Sequence, residues 1–405
     1  MAWTQVRLRV TTPLFNHTDT DGLRVSSLRG PMRFWLRALA GTRVGPHIGT
    51  LRQLENTVFG STDNPAPVRM RLVDPPGAVT APRPAFLDTA PAEDDGDRVE
   101  PAIGYLLGQG LGTIAKGYQI TRPYVQPKPG YFTLKLAFSG NDAIDVLTLA
   151  ALWMTCAYGG VGARTRRGFG GLYILGATPA TGSLPGPWDT ETLRSPGLSH
   201  YAELDTLHPT GVLAQCLPYV DELLATLPDT CHARPWRDDE RPTYPVMSTA
   251  HTRAGLSSYT AATWDELLAH VGRQYRLFRA TRDNSASKSN YSPKVKTPEH
   301  LSVVNGDSDR FPLGALGLPV VYSKGGIIGG RRASPLWLRP IGDSGTWRLF
   351  SFAFRARFLP EGTTVPMTGR EEGVTVTDDD VTTRTDNWIT GMKNNDSPFP
   401  DASSP

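Results

Sequence analysis

Across the first 177 residues, apolar side chains switch between a period of two and a period near 3.6, and the order of those switches restricts the fold. Residues 3–11 (WTQVRLRVT) alternate apolar and polar side chains, the period of a half-buried strand. The turn-rich NHTDTDG follows at 16–22. Ser26 or Ser27 is then placed to cap a helix over LRGPMRFWLRALAG that ends near Gly41. On that helix Leu28, Met32, Trp35, Leu36 and Leu39 form an apolar stripe. Arg29, Arg33 and Arg37 recur every four residues on another face. Pro31 sits in the first turn, where a missing N–H costs nothing. A second helix is expected over 51–60 and a long loop over 75–101. Strands are expected over 113–121 and 130–139. Residues 141–158 then form an apolar helix capped by Asn141 or Asp142, and LYILGA at 172–177 reads as an inner strand.

Strand, helix, strand, strand, helix, strand is the split βαβ order of ferredoxin-like folds, shared with RNA-recognition domains. A chain of 405 residues is too long for one ordinary core. The expected fold class is α+β: two ferredoxin-like (RRM-like) domains in tandem, the second divergent. Residues 1–177 are the first domain, 178–202 a Gly, Pro and Thr-rich linker, and 203–362 the second domain. The second domain holds a helix over 262–282 and strands over 318–323, 334–341 and 346–358. A second Gly/Arg turn lies at 325–335. Residues 285–300 read as an exposed basic insertion. The tail, 363–405, is acidic, then polar, and its last dozen residues read as disordered.

Between the apolar helix and the inner strand lies GGVGARTRRGFGG (159–171), with six glycines and Arg164, Arg166 and Arg167. Glycine lets backbone approach another polymer closely, and arginine presents a fork of donors that matches phosphate. The segment is neither GxxxxGK[ST] nor GxGxxG, because Thr165 stands where the third glycine of the latter belongs. A loop that clasps a polyanion is the expectation, with Gly160, Gly162 and Gly168 shaping it. Net charge is only +3, yet residues 1–45 carry seven arginines against Asp19 and Asp21, while 92–100 and 371–380 are acidic. That unevenness suits a basic face for nucleic acid and acidic edges for protein neighbours. Tyr118, Tyr124 and Lys116 lie on or beside an expected strand, where aromatics can stack bases.

The three cysteines, Cys156, Cys216 and Cys231, form no CxxC pair, so neither a zinc knuckle nor a disulfide framework is expected. No apolar run reaches the length of a membrane span, and the N-terminal residues lack a signal-peptide pattern. The expectation is a cytoplasmic protein with no metal or cofactor.

TPLF (12–15), SSLRGPMRFWLRALAG (26–41), VFGS (58–61), GGVGARTRRGFGG and RRASPLWLRP (331–340), in that order, resemble the RAMP superfamily of CRISPR effector proteins. The chain departs from the pattern just after TPLF, where Asn16 and His17 replace the glycines often found there. The resemblance implies a non-catalytic subunit at the head of a type III-B (Cmr) CRISPR ribonucleoprotein in antiviral defence. That subunit would lie near the 3′ part of the crRNA and its duplex with target RNA, beside other RAMP subunits. It also implies that the glycine loop with Arg164, Arg166 and Arg167 approaches RNA backbone or an adjacent subunit. Ser27, Arg29, Arg33 and Arg37 would line the same groove, and Arg331 and Arg332 would form a basic element of the second half. Such contacts position RNA without reading its sequence, as guided effectors require.

Two other classes fit parts of the pattern. Some RAMP relatives cut RNA with a residue in the loop after the first strand. Here His17, Asp19 and Asp21 could act as an acid–base or metal set of an endoribonuclease, or simply make a polar turn. An assembly protein touching little RNA would instead use Trp3, Trp35 and Trp337 with arginines at protein interfaces.

Overall fold

The alternation in WTQVRLRVT becomes an inner strand of a four-stranded sheet. The computed structural model describes residues 2–16, 22–90, 102–108, 110–113, 118–228, 233–280, 302–303, 305–318, 331–343, 345–367 and 371–394. Along these run β1 (Thr4–Val10), α1 (Val25–Val44), α2 (Ile48–Phe59), β2 (Arg69–Val73), α3 (Ala102–Leu107), β3 (Gly112–Thr113), β4 (Gln119–Ile120), β5 (Phe132–Ala137), α4 (Asp142–Ala157) and β6 (Leu172–Thr178). There follow α5 (Leu198–Ala202), α6 (Gly211–Thr226), β7 (Thr252–Leu256), α7 (Trp264–Ala280), β8 (Leu336–Asp343), β9 (Thr346–Phe354) and α8 (Asp378–Asn394). The fold is mixed α and β with antiparallel sheets. No helix among the described residues is long and apolar enough to cross a membrane.

The chain divides into two compact units that interleave. The first is Met1–Pro82, Ile120–His200 and Leu207–His251; the second is Arg83–Gln119, Tyr201–Thr206 and Thr252–Pro405. In the first, the strand order is β2-β5-β1-β6 and every neighbouring pair is antiparallel. Val6, Leu8, Leu134, Leu136, Leu172 and Ile174 turn to one face and are buried there. Helices α1 and α4 pack on each other and against the sheet. Every residue of α4 from Ala143 to Ala157 is buried, as an all-round apolar helix requires. Asn141 caps it by accepting the Ile144 N–H at 3.0 Å.

Four expectations change here. The second strand of the sheet is β2, not residues 113–121, which supply only the two-residue strands β3 and β4. RMRLV is a short edge strand with two arginines, so its apolar signal is thin; in TIAKGYQIT, Tyr118 turns inward instead of joining the sheet. Helix α1 starts at Val25 behind Arg24, with no side-chain cap, so Ser26 and Ser27 lie within its first turn. The stretch 178–202 is packed, not a loose linker: Leu184, Trp188 and Leu193 are buried and the Trp188 indole N–H reaches the Val146 carbonyl at 3.2 Å. Helix α6, expected to lie in a second domain, packs on α4 in the first unit. One cut near 178–202 therefore does not separate the two units.

The second unit contains an antiparallel sheet of order β7-β9-β8 with α7 and α8. Helix α8 lies in what reads from composition as a polar tail. Thr377 and Asp380 bond reciprocally at its start, a capping box, and Asp380 also pairs with Arg310 at 2.6 Å. The acidic run 378–380 is thus a helix N-terminus, where carboxylates oppose the positive end of the dipole. Trp388 on α8 is fully buried against Tyr275 and Phe278 of α7, and its indole donates to Ser351 Oγ at 3.1 Å. The expected insertion 285–300, all but the first residue of the expected strand 318–323 and most of the second Gly/Arg turn lie outside the described residues.

Candidate nucleic-acid interface

The glycine/arginine segment is an ordered loop strapped onto TPLF. Gly170 N–H donates to Pro13 O at 2.9 Å, Ala163 N–H to Phe15 O at 2.7 Å and Val161 N–H to Gly170 O at 2.8 Å. Gly171 N–H bonds Thr12 Oγ1 at 2.9 Å, and Thr11 N–H bonds Gly171 O at 2.9 Å. Two glycines make this closure possible. Gly162 has φ +90° and a Cβ there would sit 2.3 Å from Phe15 O. Gly170 has φ +72° and a Cβ would meet Val161 O at 2.0 Å. Beneath the loop Phe15 packs between Tyr124 and Phe169, with ring centroids 5.3 and 5.8 Å away, and all three are buried. Burial also pushes the Tyr124 hydroxyl above its ordinary pKa.

On that base, residues 164–167 form the tip. Arg167 N–H closes it onto Arg164 O at 2.8 Å. Arg164 itself has φ +64°, a conformation rare outside glycine and a local strain held by the closed loop. Arg164 is exposed, Arg166 and Arg167 are half-buried, and Gly160 and Gly168 lie in the frame behind them. The Arg166 guanidinium lies 6.0 Å from the Phe34 ring centroid on α1. The loop tip and α1 are therefore neighbours.

The arginine row on α1 divides. Arg33 and Arg37 both bind Glu55 of α2, at 2.7 and 2.5 Å. Arg33 also donates to the carbonyls of Phe59 and Gly60 at 3.1 and 2.6 Å, where the helix dipole is negative. These two residues clamp α1 to α2. Arg29 is half-buried, and Ser27 Oγ receives a bond from Asn16 Nδ2 at 2.9 Å, so Asn16 also holds Gly22 O at 2.8 Å. Asn16, where glycine is common in the resembled pattern, ties the start of α1 to the end of TPLF.

Tyr118 is 4% exposed, donates to Gly108 O at 2.7 Å and packs on Gly104 and Gly112, so it has no ring face for a base. Tyr124 is likewise core. Trp35 and Trp337 are buried, which removes them from any interface. Arg331 is exposed; Arg332 donates to Arg357 O at 2.7 Å and lies over Phe358. Lys116, His17, Asp19 and Asp21 lie outside the described residues. Glu55 and Thr12 escape a sequence reading because a single carboxylate and a single hydroxyl carry no periodic signal.

The first 170 or so residues match a protein-family model described as the RAMP superfamily, over residues 7–173. The CRISPR system Cmr subunit Cmr1-2 of Pyrococcus furiosus is 30% identical over 174 residues, 41% of this chain and 92% of that one. Its counterpart Cmr1-1 from the same organism is 25% identical over 342 residues, 84% of this chain and 82% of that one. Among solved structures, apo Cmr1 from Pyrococcus furiosus aligns at a TM-score of 0.48 and 18% identity, covering 95% of this chain and 97% of that one. A chain in a structure described as the type III-B Cmr-beta bound to cognate target RNA aligns at 0.44 and 13% identity, over 87% and 94%. The chain belongs to the RAMP superfamily, as a relative of the Cmr1 subunits of CRISPR systems.

Proposed function

We propose that this chain is a non-catalytic, guide-RNA-associated subunit of a type III-B Cmr effector, contacting the 3′ part of the crRNA and its duplex with target RNA beside other RAMP subunits. The observation that carries the reading is the Gly/Arg loop: a hydrogen-bonded glycine frame that presents Arg164, Arg166 and Arg167 beside α1. A guide-holding subunit needs backbone contacts that ignore sequence, and arginines on a preformed loop supply them without an ordering cost at binding. Both relatives are named as Cmr subunits; the alignment with Cmr1-1 covers 84% of this chain and that with Cmr1-2 covers 41%.

The same reading takes the first unit as a ferredoxin-like domain. Its sheet, read by order of use, runs fourth, first, third, second, all antiparallel. The second unit is then a diverged copy: β7, α7, β8, β9 and α8 follow the same sequence of elements, with the first strand beside the third and the third beside the second. Arg29 and Ser27 border the loop, and Arg331 and Arg332 supply the second unit's basic element. The triple variant Arg164→Ala, Arg166→Ala, Arg167→Ala should fold and lose RNA retention, with the slope of log affinity against log salt falling by about 2 for three single-strand phosphate contacts. Unchanged retention and slope would remove the loop from the interface.

A further inference from the structure

We propose that the open face of the β2-β5-β1-β6 sheet is a second RNA surface, a track for single-stranded RNA on the side away from α1 and α4. The proposal takes the polymer from the function proposed above, but its residues are separate from the Gly/Arg loop and α1. Arg7 and Arg9 belong to the seven arginines of residues 1–45, and the other residues of this face carry no signal in the sequence pattern.

The face is set by register. Arg71, Lys135, Gln5 and Thr178 stand in one row across the four strands. Val73, Thr133, Arg7 and Gly176 form the next, and Arg9 pairs with Tyr173 beyond it. Arg69 continues the open side of β2, since Met70 and Leu72 pair with Leu136 and Leu134 of the buried side. The four strands thus carry Arg7, Arg9, Arg69, Arg71 and Lys135 and contain no aspartate or glutamate. Gln5, Arg7, Arg69 and Arg71 are exposed.

Two tyrosines interleave with these cations. Tyr131, the residue just before β5, is 59% exposed, one of two large apolar side chains so open among the described residues. The Arg7 guanidinium lies 5.7 Å from its ring centroid, and that of Arg9 lies 5.6 Å from the Tyr173 ring. Gly176 makes room: a Cβ there would stand 3.1 Å from Arg7 Nη2. Arginine beside an aromatic ring, repeated along a sheet, offers phosphate contact and base stacking together, the combination that single strands require. A protein partner would prefer an apolar centre depleted in charge, whereas this face is charged across its width. A duplex keeps its bases stacked on one another and leaves the rings unused.

The test is binding of the full chain to fluorescein-labelled oligouridine over a range of KCl, for the parent and two variants. The sheet variant is Arg7→Ala, Arg71→Ala, Lys135→Ala; the loop variant is the triple substitution described above. The sheet variant should melt like the parent and lose about 2 from the salt slope, at about 0.7 per single-strand phosphate. Tyr131→Ala should weaken binding roughly tenfold at an unchanged slope, as loss of a stacked base does. With 4-thiouridine in the oligomer, photocrosslinks should fall on peptides containing Tyr131 or Tyr173. An unchanged slope in the sheet variant, or no binding by the parent, overturns the proposal. So does loss of co-purifying proteins with RNA affinity intact, which would make the face a protein dock. If the loop variant alone loses affinity, only this proposal fails; if the sheet variant alone does, the loop's place in the proposed function fails instead.

Discussion

Arginine is read differently once its partners are known. The row Arg29, Arg33, Arg37 is visible in the sequence as a helix face, but what it faces is not. Glu55 is some twenty residues away on a helix whose angle no local pattern specifies. Its carboxylate is mostly buried and holds two guanidinium groups at once. Glu55→Gln leaves those cations partly buried and short of a counter-charge, so urea unfolding should show a loss of about 1–3 kcal/mol. The same argument separates structure from binding: Arg33→Ala should lower stability by a similar amount, and any effect on RNA retention should vanish when folded protein is compared. At Gly162 the geometry is stricter. Alanine must adopt φ +90° and displace the Phe15 carbonyl, so Gly162→Ala should cost about 1–3 kcal/mol and loosen the loop's arginines along with it. Stability unchanged in that variant would mean that the loop is not strapped to TPLF as described.

Elements with strong periodicity were legible, and those defined by a partner were not. Helix α4 and strand β1 follow directly from apolar spacing and, for α4, from its cap. Strand β2 is five residues long with arginines on its open side, so its apolar signal amounts to Met70, Leu72 and Val73. Helix α8 has the composition of a tail because its solvent face is acidic and polar, while its buried face rests on Trp388, Ile389 and Val381. Trp388→Ala should therefore cost about 3–5 kcal/mol, as a large cavity against α7 and β9, measured by denaturant unfolding. The segment before β7 gives a pH signature. His251 is buried, and that desolvation holds its pKa below the ordinary value despite the opposing pull of Asp238. A depressed histidine favours the fold while neutral. Its contribution is complete above the unfolded pKa of about 6.5 and is lost as pH falls through it towards the folded value. Melting curves should drop over that window, and His251→Gln should flatten the drop.

At the scale of the molecule, the sequence order and the spatial order diverge. Residues 83–119 leave the first unit between two of its strands, and 207–251 return to it after the second has begun. No composition shift marks these crossings, because a segment's allegiance depends on which apolar face it covers. The resemblance from five ordered blocks nevertheless led to the family; TPLF and GGVGARTRRGFGG bond backbone to backbone, and Gly162 and Gly170 leave no room for a Cβ. The central claim concerns what the whole molecule holds. The most direct measurement is to tag the chain in its native host, purify it gently, sequence the RNA that comes with it and identify the proteins. Repeat-spacer RNA of full length, together with several RAMP subunits, is the predicted result. A lone chain without RNA, or one that carries shortened RNA products abolished by His17→Ala, would contradict the account.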